Sequence, residues 1–336
     1  WERIRADFPA LRREVHGKPL VYLDNANTGQ RPEAVLVAME RYYRQYNANV
    51  SRAVHTLGTE ATQAYEDVRD RLAQFVNAPS RREIVFTRGS TEAINLVAYS
   101  WGAANLRAGD AIVVTGMEHH ANIVPWQLLC ERAGATLKVL PVLETGELDL
   151  DALPTLLTPE VKLFAFTHVS NALGTVNPAA ELCRLARARG IATLIDGSQA
   201  APHLRVDVQA IGCDFYAFTG HKMFGPTGTG VLWARYDLLA SMPPFLSGGE
   251  MIREVDFAGT TFAEPPHRFE AGTPNIAGMI GLGAAVEYLD SIGVDAIAAR
   301  EQSLGDYALE RLRTVPGLRL VGAEARERVP VFSFLI

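Results

Sequence analysis

Between residues 83 and 234 the chain repeats one pattern, a short and almost continuously apolar run followed by a turn and a helical stretch. The runs are Glu83–Thr87, Ala111–Thr115, Leu137–Val142, Lys162–Thr167, Ile191–Ile195, Cys213–Phe218 and Thr229–Ala234. Apolar runs of this length that alternate with helices point to strands covered on both faces, and hence to βαβ units around a mostly parallel sheet. The last two runs flank a glycine-rich turn. The pattern predicts an α/β fold.

At 336 residues the chain exceeds one typical core, which suggests a large domain and a smaller one. We expect the large domain at 20–285, with 1–19 and 286–336 belonging to the small one. A long helical pattern, roughly Ala284 to Leu312, follows the glycine-rich Gly272–Gly283; two apolar runs, Leu318–Val321 and Pro330–Ile336, complete the chain. These last elements read as the beginning of a small α/β domain. The apolar close, without turn or cap, predicts a natural chain that continues past Ile336.

The net charge of −6 argues against a nucleic-acid footprint, which needs clustered Lys and Arg. The basic cluster Arg184-Leu-Ala-Arg187-Ala-Arg189 ends a helical pattern, where it complements the helix dipole. No apolar stretch reaches membrane-spanning length, and no signal peptide is visible. Cys130, Cys183 and Cys213 form neither a CxxC spacing nor an even framework, so a cytoplasmic, reducing setting is expected. His119 and His120 are adjacent and no HExxH occurs, so no metal is expected.

Ligands of open α/β sheets bind outside the carboxyl ends of the strands. Asp196 follows the run Ile191–Ile195, and Lys222 follows Phe215-Tyr-Ala-Phe-Thr-Gly-His. A carboxylate at a buried strand end needs a partner or a use. A desolvated lysine has its pKa lowered toward the range that suits Schiff-base chemistry. In Arg88-Gly-Ser-Thr-Glu92, Ser90 and Thr91 open a helix whose free N–H groups suit phosphate. Taken singly, Asp196 reads equally as a helix cap, Lys222 as a surface lysine, Ser90 and Thr91 as ordinary caps, and His119 as a core histidine. Together and in this order, they meet the needs of pyridoxal 5'-phosphate: a phosphate anchor, an acid for the pyridine nitrogen and an amine. The sets Gly225–Gly230 and Gly278–Gly283 lack nucleotide-loop spacing and are assigned to turns and close packing.

The stretches Asp196-Gly-Ser-Gln-Ala200 and Thr219-Gly-His-Lys-Met-Phe-Gly-Pro226 resemble the class V aminotransferase fold, a fold-type-I pyridoxal-phosphate architecture. Met117-Glu-His-His-Ala-Asn-Ile-Val-Pro-Trp126, Ser51–His55, Thr167–Gly174 and Arg268–Asn275 narrow the resemblance to group II (Suf-type) cysteine desulfurases and selenocysteine lyases. The resemblance implies that Lys222 holds the cofactor and that His119 stacks on its ring and shuttles protons. Asp196 would pair with the ring nitrogen, and Asn171 and Gln199 would face the phenolic oxygen. Ser90, Thr91, Thr219 and His221 would hold the phosphate. Thr273 would reach the phosphate of the other subunit, making the active site a property of a homodimer. Arg52 and His55 would lie near the substrate entrance, with Asn27 in the substrate-side loop.

Two features depart from the family. Asn27 and Gly29 occupy a loop usually rich in small residues, and Arg52-Ala-Val-His55 replaces an Arg-Gly-X-His pattern. The resemblance also implies a persulfide-forming cysteine and a carboxylate-binding arginine beyond Ile336, since none of the three cysteines matches the nucleophile's motif. The implied activity is sulfur release from L-cysteine, giving L-alanine and an enzyme persulfide for an acceptor protein, as in iron–sulfur cluster assembly. A selenocysteine lyase acting on L-selenocysteine, or another class V lyase or transaminase, is the alternative in chemistry. An inactive scaffold that binds a sulfur acceptor is the alternative in kind.

Overall fold

The computed structural model describes residues 1–51 and 54–336. Its centre is a seven-stranded sheet: β1 (Ile84–Thr87), β2 (Ala111–Thr115), β3 (Thr136–Leu140), β4 (Val161–Thr167), β5 (Ala192–Asp196), β6 (Phe215–Thr219) and β7 (Gly230–Ala234). The spatial order is β1-β7-β6-β5-β4-β2-β3. Only β7 runs against its neighbours, so β1 to β6 share one direction and end on one edge. The sheet is the mostly parallel one expected of a fold-type-I pyridoxal-phosphate enzyme.

Successive side chains enter opposite apolar layers, Phe215 and Ala217 on one side, Tyr216 and Phe218 on the other. Helices cover both faces, which is why the central strands are buried at nearly every position. Edge strand β3 is half-exposed and keeps Lys138 at its centre, a charge that discourages further pairing.

Around the sheet lie α1 (Glu33–Gln45), α2 (Thr56–Phe75), α3 (Ser90–Val97), α4 (Val124–Ala133), α5 (Ala179–Arg187), α6 (Ile276–Ile292) and α7 (Val294–Arg313). The single helix expected from Ala284 to Leu312 is in fact two. They meet at Gly293, whose φ of 88° ends α6, and are bent by 73°. Gly278–Gly283 forms no turn but lies inside α6, where the close-packing part of that reading holds. A methyl on Gly283 would stand 2.7 Å from Val68 of α2, and one on Gly281 2.9 Å from Met39 of α1. These glycines let three helices touch. Among the described residues no single helix is long and apolar enough to cross a membrane. Residues 20–24 are irregular.

The antiparallel pair β8 (Ile252–Asp256) and β9 (Gly259–Phe262) projects as a hairpin, and β10 (Arg319–Val321) pairs antiparallel with β11 (Ser333–Leu335). Buried Arg69 of α2 binds Glu270 bidentately at 2.7 and 2.9 Å, and Glu270 also accepts the Phe86 N–H at 2.7 Å. This pins the segment carrying Thr273 to α2 and β1.

A tight backbone constraint at the active edge is between Gly230 and Gly89. A methyl on Gly230 would lie 2.3 Å from the Gly89 Cα. Gly230→Ala should cost about 1–3 kcal/mol in urea unfolding by forcing β7 from β1. Gly259→Ala, which meets nothing within 4 Å, should change little; equal losses in the two variants would refute this account.

Candidate active site

Along the edge where β1 to β6 end, the chain leaves the sheet at Thr87, Thr219, Asp196, Thr167 and Thr115, in spatial order. A cleft of about 680 Å³ opens there. Segments from the ends of five strands line it, joined by Asn27 and Phe245, because parallel strands deliver their carboxyl ends to one side.

Asp196 closes β5 and is buried; its Oδ1 accepts the Ser198 N–H at 3.0 Å and the Ser198 hydroxyl at 2.6 Å. One strand over, β6 runs into the short turn Gly220–Lys222. Burial lowers the Lys222 pKa, with the negative charge of Asp196 opposing. The two groups therefore share one cleft, in which the amine is easier to deprotonate than an exposed lysine. His119 enters from the turn after β2. Its Nδ1 accepts the Ala121 N–H at 3.1 Å, so the neutral ring carries its proton on Nε2. Burial lowers its pKa; Asp196 opposes, while Lys222 and His120 lower it further.

Ser90 and Thr91 form the first turn of α3, where backbone N–H groups lack partners within the helix, and both line the cleft. Thr219, Asn171, Asn27 and His221 line it too. His221 Nδ1 lies 3.3 Å from the Thr28 hydroxyl, and burial lowers its pKa. Gln199 donates from Nε2 to the Ala26 carbonyl at 2.6 Å. Its buried Oε1 has no hydrogen-bond partner among the described residues.

A family model for aminotransferase class-V matches residues 21–336. The chain belongs to this family. A relative described as "Probable cysteine desulfurase", from Xylella fastidiosa, is 62% identical over 336 residues, covering all of this chain and 80% of its own length. Among solved structures, the cysteine desulfurase CsdA of Escherichia coli superposes with a TM-score of 0.91 at 40% identity, over 99% of this chain and 82% of that one. A lysine-to-alanine variant of C-DES with glycine covalently linked to its pyridoxal phosphate superposes with a TM-score of 0.85 at 25% identity, over 99% and 86%.

Pyridoxal phosphate is the cofactor of this family, and the cleft suits it. The buried Asp196 calls for a cationic partner, the unpartnered Gln199 Oε1 calls for a donor, the α3 start suits an anion, and the amine is within the same walls. Ten of the residues singled out in the sequence thus meet in one place: Asn27, Ser90, Thr91, His119, Asn171, Asp196, Gln199, Thr219, His221 and Lys222.

Three do not. Thr273 is exposed in a second cleft of about 490 Å³, which shares Arg88 and Glu92 with the first. His55 is the N-cap of α2, its Nδ1 accepting the Gly58 N–H at 3.2 Å, and it does not line the Lys222 cleft. Arg52 lies outside the described residues. Conversely, sequence reading passed over Ser198, which holds Asp196, and Thr167, whose hydroxyl donates to the Val169 carbonyl at 2.8 Å and lies 3.3 Å from the Asp196 carbonyl. Ser198 carried a signal, being two residues beyond a strand-end aspartate as in an Asx turn. All three cysteines are buried. Burial raises each thiol, Cys183 to about 12, so none offers a thiolate to the cleft.

Behind Asp196, His168 Nδ1 lies 2.9 Å from the Tyr216 hydroxyl. Burial pushes the His168 pKa down to about 4. Between pH 6.5 and 4 the unfolded chain takes up a proton that the native state refuses, so this group makes stability fall as pH drops through that window. His168→Gln should flatten this part of a plot of urea midpoint against pH. Parallel profiles for variant and parent would show that the ring is not held neutral.

Proposed function

We propose that this chain acts as a pyridoxal-phosphate-dependent cysteine desulfurase, releasing sulfur from L-cysteine to leave L-alanine. The observation that carries the reading is Lys222 and Asp196 at adjacent strand ends in one cleft with a helix start. It is supported by the relatives named cysteine desulfurase.

Bound there, the cofactor supplies a carbonyl for Schiff-base exchange and an electron sink for breaking bonds at the substrate's α- and β-carbons. The protein's part is to bind, orient and move protons. Lys222, whose lowered pKa eases loss of its proton, would provide the amine that holds the cofactor, and its Nζ would take up and return the substrate's α-proton. Asp196 holds the proton on the ring nitrogen. His119 would stack on the ring, with Nε2–H as its proton-bearing atom. Asn171 and Gln199 face the phenolic oxygen, and Ser90, Thr91, Thr219 and His221 hold the phosphate. Asn27, His55 and Arg52 belong to the substrate side. With Cys130, Cys183 and Cys213 buried, we assign the attack on sulfur to none of them.

We also assign Thr273 to the cofactor phosphate of a second copy, since it is exposed in a cleft of its own beside Arg88 and Glu92. The functional unit is then a homodimer, with residues 20–285 as large domain and 1–19 and 286–336 as small domain. The released sulfur goes to an acceptor protein of the kind that serves iron–sulfur cluster assembly, in the cytoplasm.

Borohydride reduction of the holoenzyme followed by peptide mapping should find the pyridoxyl group on Lys222; a label on another lysine, or on none, would sink the assignment. Sedimentation of the holoenzyme at falling concentration should detect a dimer, with Thr273→Ala weakening cofactor retention. A stable monomer that keeps its cofactor tightly would refute the shared site.

A further inference from the structure

One buried carboxyl beside the cleft has no part in the chemistry above. Glu118 lies between Met117 and His119, and each of its oxygens is occupied. Oε1 accepts the Thr115 hydroxyl at the end of β2 and the Thr167 N–H at the end of β4, the latter at 2.9 Å. Oε2 accepts Asn122 Nδ2 at 2.6 Å, and Asn122 Oδ1 accepts Trp126 Nε1 at 2.9 Å. β2 and β4 are neighbours in the sheet, so the carboxyl bridges two strand ends and the turn that follows one of them.

That turn is the one bearing His119. The Asn122 N–H donates to the His119 carbonyl at 2.8 Å, closing it. On the other side, the Asp196 carbonyl accepts the His168 N–H at 2.9 Å and lies 3.3 Å from the Thr167 hydroxyl. Glu118 therefore stands between the backbones that carry His119 and Asp196.

The donors leave little freedom. An indole N–H only donates, so Trp126 fixes the Asn122 amide with its oxygen toward the indole and its nitrogen toward Glu118. The Thr167 N–H also only donates. Thr115 alone can reverse its sense. Burial pushes the Glu118 pKa up to about 8, against the pull of these donors and with Asp196 adding to the rise. In the neutral form the proton fits only between Oε1 and the Thr115 hydroxyl. Either way, both oxygens must accept from groups that cannot turn round.

We propose that Glu118 is a positioning residue, a hydrogen-bond clamp that sets His119 and the β4 end beside Asp196 against the cofactor, and that the clamp requires a carboxyl there. This rests on the assignment of His119 and Asp196 to pyridoxal phosphate. Glutamine has nearly the same shape, yet its NH₂ must meet either Asn122 Nδ2 or the Thr167 N–H, leaving two donors face to face. Moving the carboxyl one partner along removes the conflict. In the double variant Glu118→Gln with Asn122→Asp, the glutamine oxygen accepts from Thr115 and Thr167. The glutamine NH₂ then donates to the relocated carboxylate, which still accepts the Trp126 indole N–H.

The test compares holoenzymes of the parent, Glu118→Gln, Asn122→Asp and the double variant by cofactor absorption, KM, kcat and apoprotein melting temperature. Glu118→Gln should shift the visible band and lower kcat about tenfold to a hundredfold with KM for cysteine nearly unchanged, the signature of a displaced group rather than lost binding. Asn122→Asp, which sets two carboxyls together, should melt lowest. The double variant should recover the band, most of kcat and the melting temperature. An unaltered band and kcat in Glu118→Gln would overturn the proposal, as would a double variant that fails to fold or gains nothing over the single ones. Should the borohydride label lie elsewhere than Lys222, the cofactor assignment fails separately, and the four melting temperatures still decide whether the clamp exists.

Discussion

A carboxylate taken out of water loses several kcal/mol of hydration, and Asp196 is only 5% exposed. Much of the site follows from making that position tolerable. Its Oδ1 is held by two donors of Ser198; the opposite charge in the cleft is Lys222, in the turn that follows the neighbouring strand. The pairing works because β5 and β6 are parallel and in register, with Asp196 opposite Ala217, so that Thr219 and the turn beyond it reach the same edge. The Tyr216 ring packs against Gly197 so closely that a methyl there would stand 2.1 Å from it. The turn after Asp196 thus needs glycine for room, and its direction into the cleft follows from what lies beneath it.

Legibility followed burial. The central strands could be read because a parallel sheet covered on both faces leaves near-continuous apolar runs, and their boundaries shifted by one or two residues only. Asp196, Lys222 and the start of α3 were readable because strand ends of such a sheet are where ligands gather. In α6 the glycines read as loop by propensity, which costs about 1 kcal/mol each in a helix, but contact with α1 and α2 outweighs it. The role of His55 was hidden for another reason. Its imidazole satisfies the first turn of α2, a local duty that a motif match does not distinguish from substrate contact.

The segment carrying Thr273 shows how a site can be stabilised from a distance. Glu270 is held by Arg69, which is itself 1% exposed, stacked 4.0 Å from the Phe86 ring and bound to Glu66. Such a buried pair adds little net stability compared with apolar residues of the same shape, but removing one partner leaves a buried charge alone, at a cost of about 3–5 kcal/mol. Geometry is what it secures. The bidentate fork and the Phe86 N–H give Glu270 one position, and through it the following residues are set beside Arg88 and Glu92.

Glu118, in the turn after β2, and Asp196, at the end of β5, are two buried carboxyls on either side of β4, and their surroundings separate their uses. Asp196 has a cation in the cleft and a wall open to a ligand. Glu118 has only dipoles around it, all of them pointing inward from the backbone, an amide and a hydroxyl. Dipoles that need no reorganisation can hold a carboxyl in place, but they do not make its charge available to anything outside. A carboxyl so enclosed can act only through the groups it orients, and those groups are the strand ends and the turn from which His119 and Asp196 face the cofactor.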